Sequence, residues 1–507
     1  MPKQRRLQEA LGLILDEPAP NEFERLTAEE LERRQRERRH GTPAAWPDDW
    51  RRVKKVDYFY RRDTILVRTD DVDLVLHALR EDQQTPEERE AARDQHGPIL
   101  SEDIAIDRLP VIDGVTGLVW RYGRTAERVR GNRPGHFGGT GFGREPDGDG
   151  PDLLATPYVL RRLDERIGVG KATPDHALSL CGNGHPCPAT EPAVVSAAAM
   201  GPVPATTTGI CCGTPGWDGD GVRVGVVDGG LVKDATTMWP WMAGIRGDRE
   251  DPYVAGKHIK PYACHGTFVA GCVRTTAPKA QIRVKKAEYV DSRPCAGMAY
   301  EHEIVQRMHE LLNWGADVIV CEFDGFTRFH RPMHTFDAFY DKRLRHVNAV
   351  VVAPAGNDAT PKPTFPAAYS WVIGVGSLTA NGNSRSGFSN HGGWVDVYAP
   401  GEELVNAFAV GDYRCVEKPH KWRLGFRGLA NWSGTSFSAP LVAGLIAARM
   451  SATGENAPRA AAALLRFALD QARPGIGPIL LPHQACGTPR KSCGTGCDCA
   501  CGCAVLS

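Results

Sequence analysis

The sequence predicts an α/β fold: a mainly parallel sheet between layers of helices, preceded by a smaller ferredoxin-like α+β sandwich. Three observations carry this. Continuous apolar runs, VRVGVVD, ADVIVCEF, NAVVVAPAG and WVIGVG, alternate with helical segments such as EHEIVQRMHELLNWG, the pattern of a parallel sheet covered on both faces. Between Asp63 and residue 180 the periodicities read β-α-β-β-α-β, the order of a ferredoxin-like sandwich. An Ala/Pro/Thr-rich stretch from CGNGHPCPATEP to Pro215 separates the two regions as a linker would.

Taken in order, residues 1–55 are polar and Arg-rich, with Thr27 and Glu30 spaced as a capping box before LERRQRERRHG, which predicts one exposed helix and little core. Residues 56–180 form the sandwich. DTILVRT alternates as a strand, and Val72, Val75, Leu76 and Leu79 share one helical face. RLPVID and LVWRYG are short strands, PDLLATPYVLRRLDERIG is a helix with Leu160, Leu163 and Ile167 on one side, and HALSL is the closing strand. Its centre is interrupted by the glycine-rich and charged GNRPGHFGGTGFGREPDGDGPD, a loop composition. A linker is expected over 181–216, the large α/β domain over 217–475, and a Cys-rich tail over 476–507.

Lys plus Arg and Asp plus Glu both total 61, so no global field recruits nucleic acid or an anionic membrane. No apolar run approaches the ~18 residues of a membrane helix. The N-terminus begins with positive charge but meets acids and prolines before any cleavage pattern, a poor signal peptide. A cytoplasmic setting, with neither nucleic acid nor membrane as partner, is the expectation. Fifteen cysteines complicate it, because many disulfides would imply export.

Chemistry concentrates in the large domain. VRVGVVDGG is a buried strand ending in Asp228, followed by glycines that allow a sharp turn. In ACHGTFVAGCV, His265 starts an apolar helix and Gly266 permits close approach. In NWSGTSFSAPLVAGLIAARM, Ser436 lies at the mouth of a buried helix, where free amide donors and the positive dipole end suit an oxyanion. A serine is a weak nucleophile alone; it needs a base, and the base an orienting acid. Each residue singly is more often a cap than a catalyst. Together, Asp228, His265 and Ser436 supply all three roles in one domain.

These segments resemble the signature motifs of the subtilisin-like serine peptidases (peptidase S8 family). HGTFVAGCV resembles the histidine motif and GTSFSAP the serine motif, while VVAPAGND resembles the oxyanion strand and assigns Asn357 as side-chain donor beside the Ser436 amide. The resemblance covers about residues 217 to 475. It implies a subtilisin-like three-layer fold, peptide-bond hydrolysis and a protein or peptide substrate. No cofactor is required, although calcium is common in the family; the DGDG runs at 147–150 and 218–221 lack a full ligand set. The preceding sandwich then resembles a propeptide whose last strand lies along the cleft, a partner in cis, with a cut between Cys181 and Pro215.

The sequence departs from the family in three places. Gly229 follows the aspartate where a small hydroxyl or acidic residue is usual. Phe268 replaces a second histidine. VIVCEFDGF occupies the substrate-binding strand, so Glu322, Phe323, Asp324 and Gly325 are expected to bind substrate. The acids either favour a basic side chain at the cleavage site, or one or both point away or pair with local arginines. Cys264 and Cys272 read as buried thiols, with Cys264 beside the site a possible target of mercurials or oxidants. Cys181, His185 and Cys187, with Cys211 and Cys212, offer zinc ligands or disulfides, but the spacing matches no known finger. The tail, Cys493, Cys497, Cys499, Cys501 and Cys503, suits a soft cation, a peptide cargo or simple disorder. No metal is assigned. Two other functions stay open: a peptide-binding protein that has lost turnover, and a dedicated maturation protease for one cellular peptide.

Overall fold

The computed structural model describes residues 58–80, 99–100, 104–121, 156–180, 189–195, 216–254, 258–260, 262–287, 297–414 and 423–485. The helix expected within 1–55, the Cys181, His185, Cys187, Cys211 and Cys212 group, and the tail cysteines lie outside them.

The N-terminal region follows the expected order: β1 (Phe59–Arg68), α1 (Val72–Arg80), β2 (Ala105–Ile112), β3 (Val115–Arg121), α2 (Thr156–Ile167) and β4 (Ala172–Ser179). Its strands pair antiparallel in the order β4-β1-β3-β2. Strand alternation decides the two faces. Ile65 and Val67 meet Val75 and Leu79 of α1 and Leu160 and Leu163 of α2 in one core, while Leu66 points the other way and clusters with Val115 and Ala338 of the large domain.

A fifth strand, β8 (Met298–Tyr300), joins this sheet from the large domain, antiparallel to β4. Residues 193–194, in the expected linker, also form a short strand, β5 (Ala193–Val194), antiparallel to residues 430–431.

The large domain is built on seven parallel strands. In chain order they are β6 (Arg223–Asp228), the pair Arg246–Gly247, β7 (Gln281–Lys286), β9 (Val318–Cys321), β10 (Val350–Pro354), β11 (Val372–Leu378) and β12 (Val397–Pro400). Their spatial order is β12-β11-β10-β9-β6-β7 and then Arg246–Gly247.

The central strands are buried on both faces. Val224, Val226, Val320 and Val352 pack toward α3 (His265–Thr276), α6 (Thr435–Thr453) and α7 (Ala457–Asp470). Val227, Ile319, Cys321 and Val351 pack toward α4 (Glu301–Trp314) and α5 (His334–Lys342). This is the expected three-layer arrangement. α6 is buried from Thr435 to Ala448, as its unbroken apolar sequence demands. It meets α3 closely at Gly444, where a Cβ would come within 1.9 Å of Thr276 Oγ1. A hairpin of β13 (Leu404–Arg414) and β14 (Arg423–Trp432) leads into α6.

One boundary moves. Residues 476–485, assigned to the tail on composition, belong to the packed body: Ile479 and Leu480 are buried and residue 479 bridges to Tyr398. The apolar PILL run outweighs the cysteine-rich composition that follows it.

Candidate active site

Asp228 ends β6, and in a parallel sheet the carboxyl ends of the strands are where ligands bind. Its side chain is fully buried and its Oδ2 lies 2.8 Å from Nδ1 of His265, also fully buried. The carboxylate accepts, so Nδ1 carries the proton and Nε2 is left as the base. Gly229 costs Asp228 nothing: its own N–H donates to Asp228 Oδ1.

The contact depends on Gly266. A Cβ there would stand 2.5 Å from Gly230 O and 3.1 Å from Asp228 Cβ, so only glycine lets α3 start this close to β6. Phe268, replacing the second histidine, joins Trp432 and Phe437 in an aromatic wall. The His265 ring packs edge-on to Trp432 at 5.7 Å and tilted to Phe437 at 5.5 Å. Those two residues flank Ser436, so the packing that fixes the imidazole also fixes the serine's segment.

Ser436 occupies the first turn of α6, behind Gly434. Asn357, just after β10, is oriented by the neighbouring residue: the Thr435 N–H (3.0 Å) and Thr435 hydroxyl (2.9 Å) both donate to Asn357 Oδ1. The amide Nδ2 is thereby turned to the other side as a donor. The Asn357 side chain is thereby fixed beside the start of α6, where the first helical N–H groups have no partner within the helix.

Of the four residues expected to bind substrate, Asp324 pairs with the N-terminal region through its backbone. Its N–H donates to Ser179 O and its carbonyl accepts from Ser179 N, both at 2.8 Å, while Leu180 N donates to Gly297 O at 2.9 Å. Asp324 Oδ2 lies 2.4 Å from where a Cβ on Gly356 would be, beside Asn390.

Phe323 faces the other layer, fully buried in a cluster that includes Leu178 and Leu180. Gly325 exchanges hydrogen bonds with Phe365. Glu322 pairs with no arginine among the described residues, and its carboxyl clusters with Asp228 and His265. Strand alternation is the reason, since Cys321 and Phe323 point to the α4 side and Glu322 to the α3 and α6 side. Burial, then the Asp228 charge, push its carboxyl well above the usual range, and Ser436 only partly offsets them.

Past the serine, the chain is held again. Ala189 N donates to Ser433 O at 3.3 Å, Trp432 Nε1 to Thr190 O at 2.7 Å, and Ser433 N to Thr190 Oγ1 at 3.3 Å.

Cys264, Cys272 and Cys321 are buried free thiols. Burial pushes Cys264 well above its ordinary value, with Glu250 adding to the shift, so the thiol beside the site is poorly reactive. Asp218 of the DGDG run spends its oxygens on Lys279 (2.7 Å) and the Asp220 N–H (3.0 Å), and does not fit a calcium ligand. The run at 147–150 lies outside the described residues. Among the described residues no helix is long and apolar enough to cross a membrane.

Sequence reasoning missed a second buried polar group between β4 and α4. The His176 Nδ1–H donates to Glu301 Oε2 at 2.7 Å, the Arg328 N–H donates to His176 Nε2 at 3.1 Å, and Thr335 donates to Glu301 Oε1 at 3.1 Å. A histidine inside a strand otherwise buried throughout was its only signal.

Comparison with known proteins bears on this geometry. An intracellular serine protease of Paenibacillus polymyxa is 28% identical over 246 residues, 45% of this chain and 66% of that protein. Thermitase of Thermoactinomyces vulgaris is 27% identical over 257 residues, 49% of this chain and 82% of that protein. Fervidolysin from Fervidobacterium pennivorans, described as a keratinolytic enzyme related to subtilisin, shares the fold with a TM-score of 0.51 at 18% identity, over 85% of this chain and 62% of that one. The sequence model of the Subtilase family, Peptidase_S8, matches residues 219–477, which contain Asp228, His265, Asn357 and Ser436, and the chain therefore belongs to the subtilisin-like serine peptidases.

Proposed function

We propose that this chain is a serine endopeptidase that cuts protein or peptide substrates, with Ser436 as nucleophile, His265 as general base and acid, and Asp228 holding the imidazole. The single observation that carries the reading is the fully buried Asp228–His265 bond, its ring packed against both neighbours of the Ser436 turn. His265 Nε2 takes the hydroxyl proton as Ser436 Oγ attacks the scissile carbonyl, and the proton then passes to the leaving amine. Asn357 Nδ2 and the Ser436 amide stabilise the oxyanion.

The N-terminal region, in this reading, is a cis-acting occupant of the substrate cleft. Its last residues, Ser179 and Leu180, make the main-chain bonds a substrate strand would make to Asp324 and Gly297. The chain is then gripped again from Ala189. The cut belongs within 181–188, the part of the expected linker that joins the two grips. Asp324, beside Gly356, is the acid that would favour a basic side chain in a substrate; within 181–188 the sequence offers only His185. The free thiols at Cys264, Cys272 and Cys321, and the relative named as intracellular, support a cytoplasmic setting.

The test is intact mass of the purified chain beside its Ser436→Ala variant after incubation. Fragments from the native chain alone, with a new N-terminus within 181–188, are expected. If both stay whole, serine-directed fluorophosphonate labelling decides between a blocked enzyme and a fold that binds peptides without cutting them. A peptide-library digest reads specificity: equal cutting of many unrelated sequences opposes a dedicated maturation role.

A further inference from the structure

Glu322 is fully buried, and apart from the nearby Ser436 hydroxyl its carboxylate meets no hydrogen-bond donor. His265 Nε2 is likewise buried and unpartnered. One ligand-capable atom from each of Asp228, His265 and Glu322 lies within 4.8 Å of the others, the one such group of three among the described residues. Two carboxyl groups and an imidazole brought this close in a dry pocket form a place where a cation would find ligands without displacing water.

The donor set says which cation. One imidazole nitrogen with the Glu322 carboxylate suits zinc and its transition-metal neighbours rather than calcium, which takes oxygen alone. The second shell is in place as well. A metal-bound histidine ordinarily gives its other ring N–H to a carboxylate that fixes its tautomer and orientation, and Asp228 does this at Nδ1.

We propose that Glu322 makes the catalytic centre a reversible zinc site, in which a Glu322 oxygen and His265 Nε2 bind the ion and so silence the protease. The lone pair that must accept the Ser436 proton becomes a metal bond. Removing the ion restores the base, and no covalent change is involved. The proposal rests on the reading of Ser436 as nucleophile and His265 as its base.

The experiment follows the rate of fluorophosphonate labelling of Ser436 in the full chain, after incubation to allow processing. Labelling is compared in EDTA, in Zn2+, and in Zn2+ followed by excess EDTA. Zinc is expected to slow labelling by roughly ten-fold or more, with recovery in EDTA and no effect of Mg2+; in Glu322→Gln the ratio of rates without and with zinc falls toward one. Equal rates with and without zinc in the native chain overturn the proposal. A Gln variant as zinc-sensitive as the native chain also overturns it. No labelling even in EDTA is a failure of the nucleophile reading instead.

Should the Gln variant not fold, Co2+ bound to the Ser436→Ala chain gives a second readout. Visible d–d bands without a thiolate charge-transfer band support nitrogen and oxygen ligation, and a thiolate band alone overturns it.

Discussion

Gly266 shows how little tolerance the site has. With Gly230 O at 2.5 Å and Asp228 Cβ at 3.1 Å from a Cβ placed there, Gly266→Ala must push the start of α3 off β6. We expect a loss of about 1–3 kcal/mol in stability, with a larger proportional fall in kcat than in KM, read from thermal melts and steady-state kinetics. Asn357→Ala is expected to lower kcat by about 100- to 1,000-fold with KM little changed, the usual loss for one oxyanion donor. Asp228, His265, Ser436 and Asn357 were legible in the sequence because each sits in a short motif with a local reason to be there: a strand end, a helix start, a turn. Glu322 was legible only as an acid in an apolar strand. Its direction follows from alternation, but what it faces depends on α3 and α6, which are remote in sequence.

Among elements, the join between β4 and α4 carries the most polar chemistry. Burial pushes His176 down to about 3, so it is neutral here, donating to Glu301 and accepting from Arg328. Once undocked it would return toward its ordinary 6.5. Its contribution to docking is therefore complete above that value and is lost as pH falls from 6.5 toward 3.

The neighbours do not all act in the same sense. His302 is pulled down by burial, but Asp175, 2.8 Å away, outweighs that and leaves it raised. Its contribution is already complete below 6.5 and fades only above. Glu301 is pushed well up by burial and Asp175, so its contribution is present below the ordinary carboxylate value and lost above it. Asp164 is raised by burial against the opposing pull of Arg328, its partner at 2.7 Å.

Near pH 5 the His176 shift alone is worth about 2 kcal/mol against docking. Glu301 and Asp164, both raised, favour docking as pH falls and oppose His176. His176→Asn should therefore remove the acid-loosening component and leave docking tighter near pH 5 relative to pH 7 than in the native sequence; limited proteolysis of the Ser436→Ala chain with and without His176→Asn across pH checks this. The six elements of this region were readable from periodicity, yet β8 was not. Three residues carry no period, and edge pairing through the backbone needs no particular side chain.

For the molecule as a whole, two regions with separate cores share one sheet. Leu178 is fully buried at their meeting, in the cluster that holds Phe323. Leu178→Asp places a charge there without a partner. It is expected to raise activity of the uncut or freshly cut chain toward small peptides, measured beside the native chain at equal concentration. Sequence patterns located both cores but not their contact, because each core reads as self-sufficient.

The two grips on the chain, Ser179 and Leu180 on one side and Ala189 and Thr190 on the other, bear on timing. Cutting between them breaks no hydrogen bond of either. It removes only the tether, and with it the high effective concentration that returns the strand after each excursion. Onset of activity would then follow a lag set by how fast β4 lets go, a first-order clock that dilution does not slow.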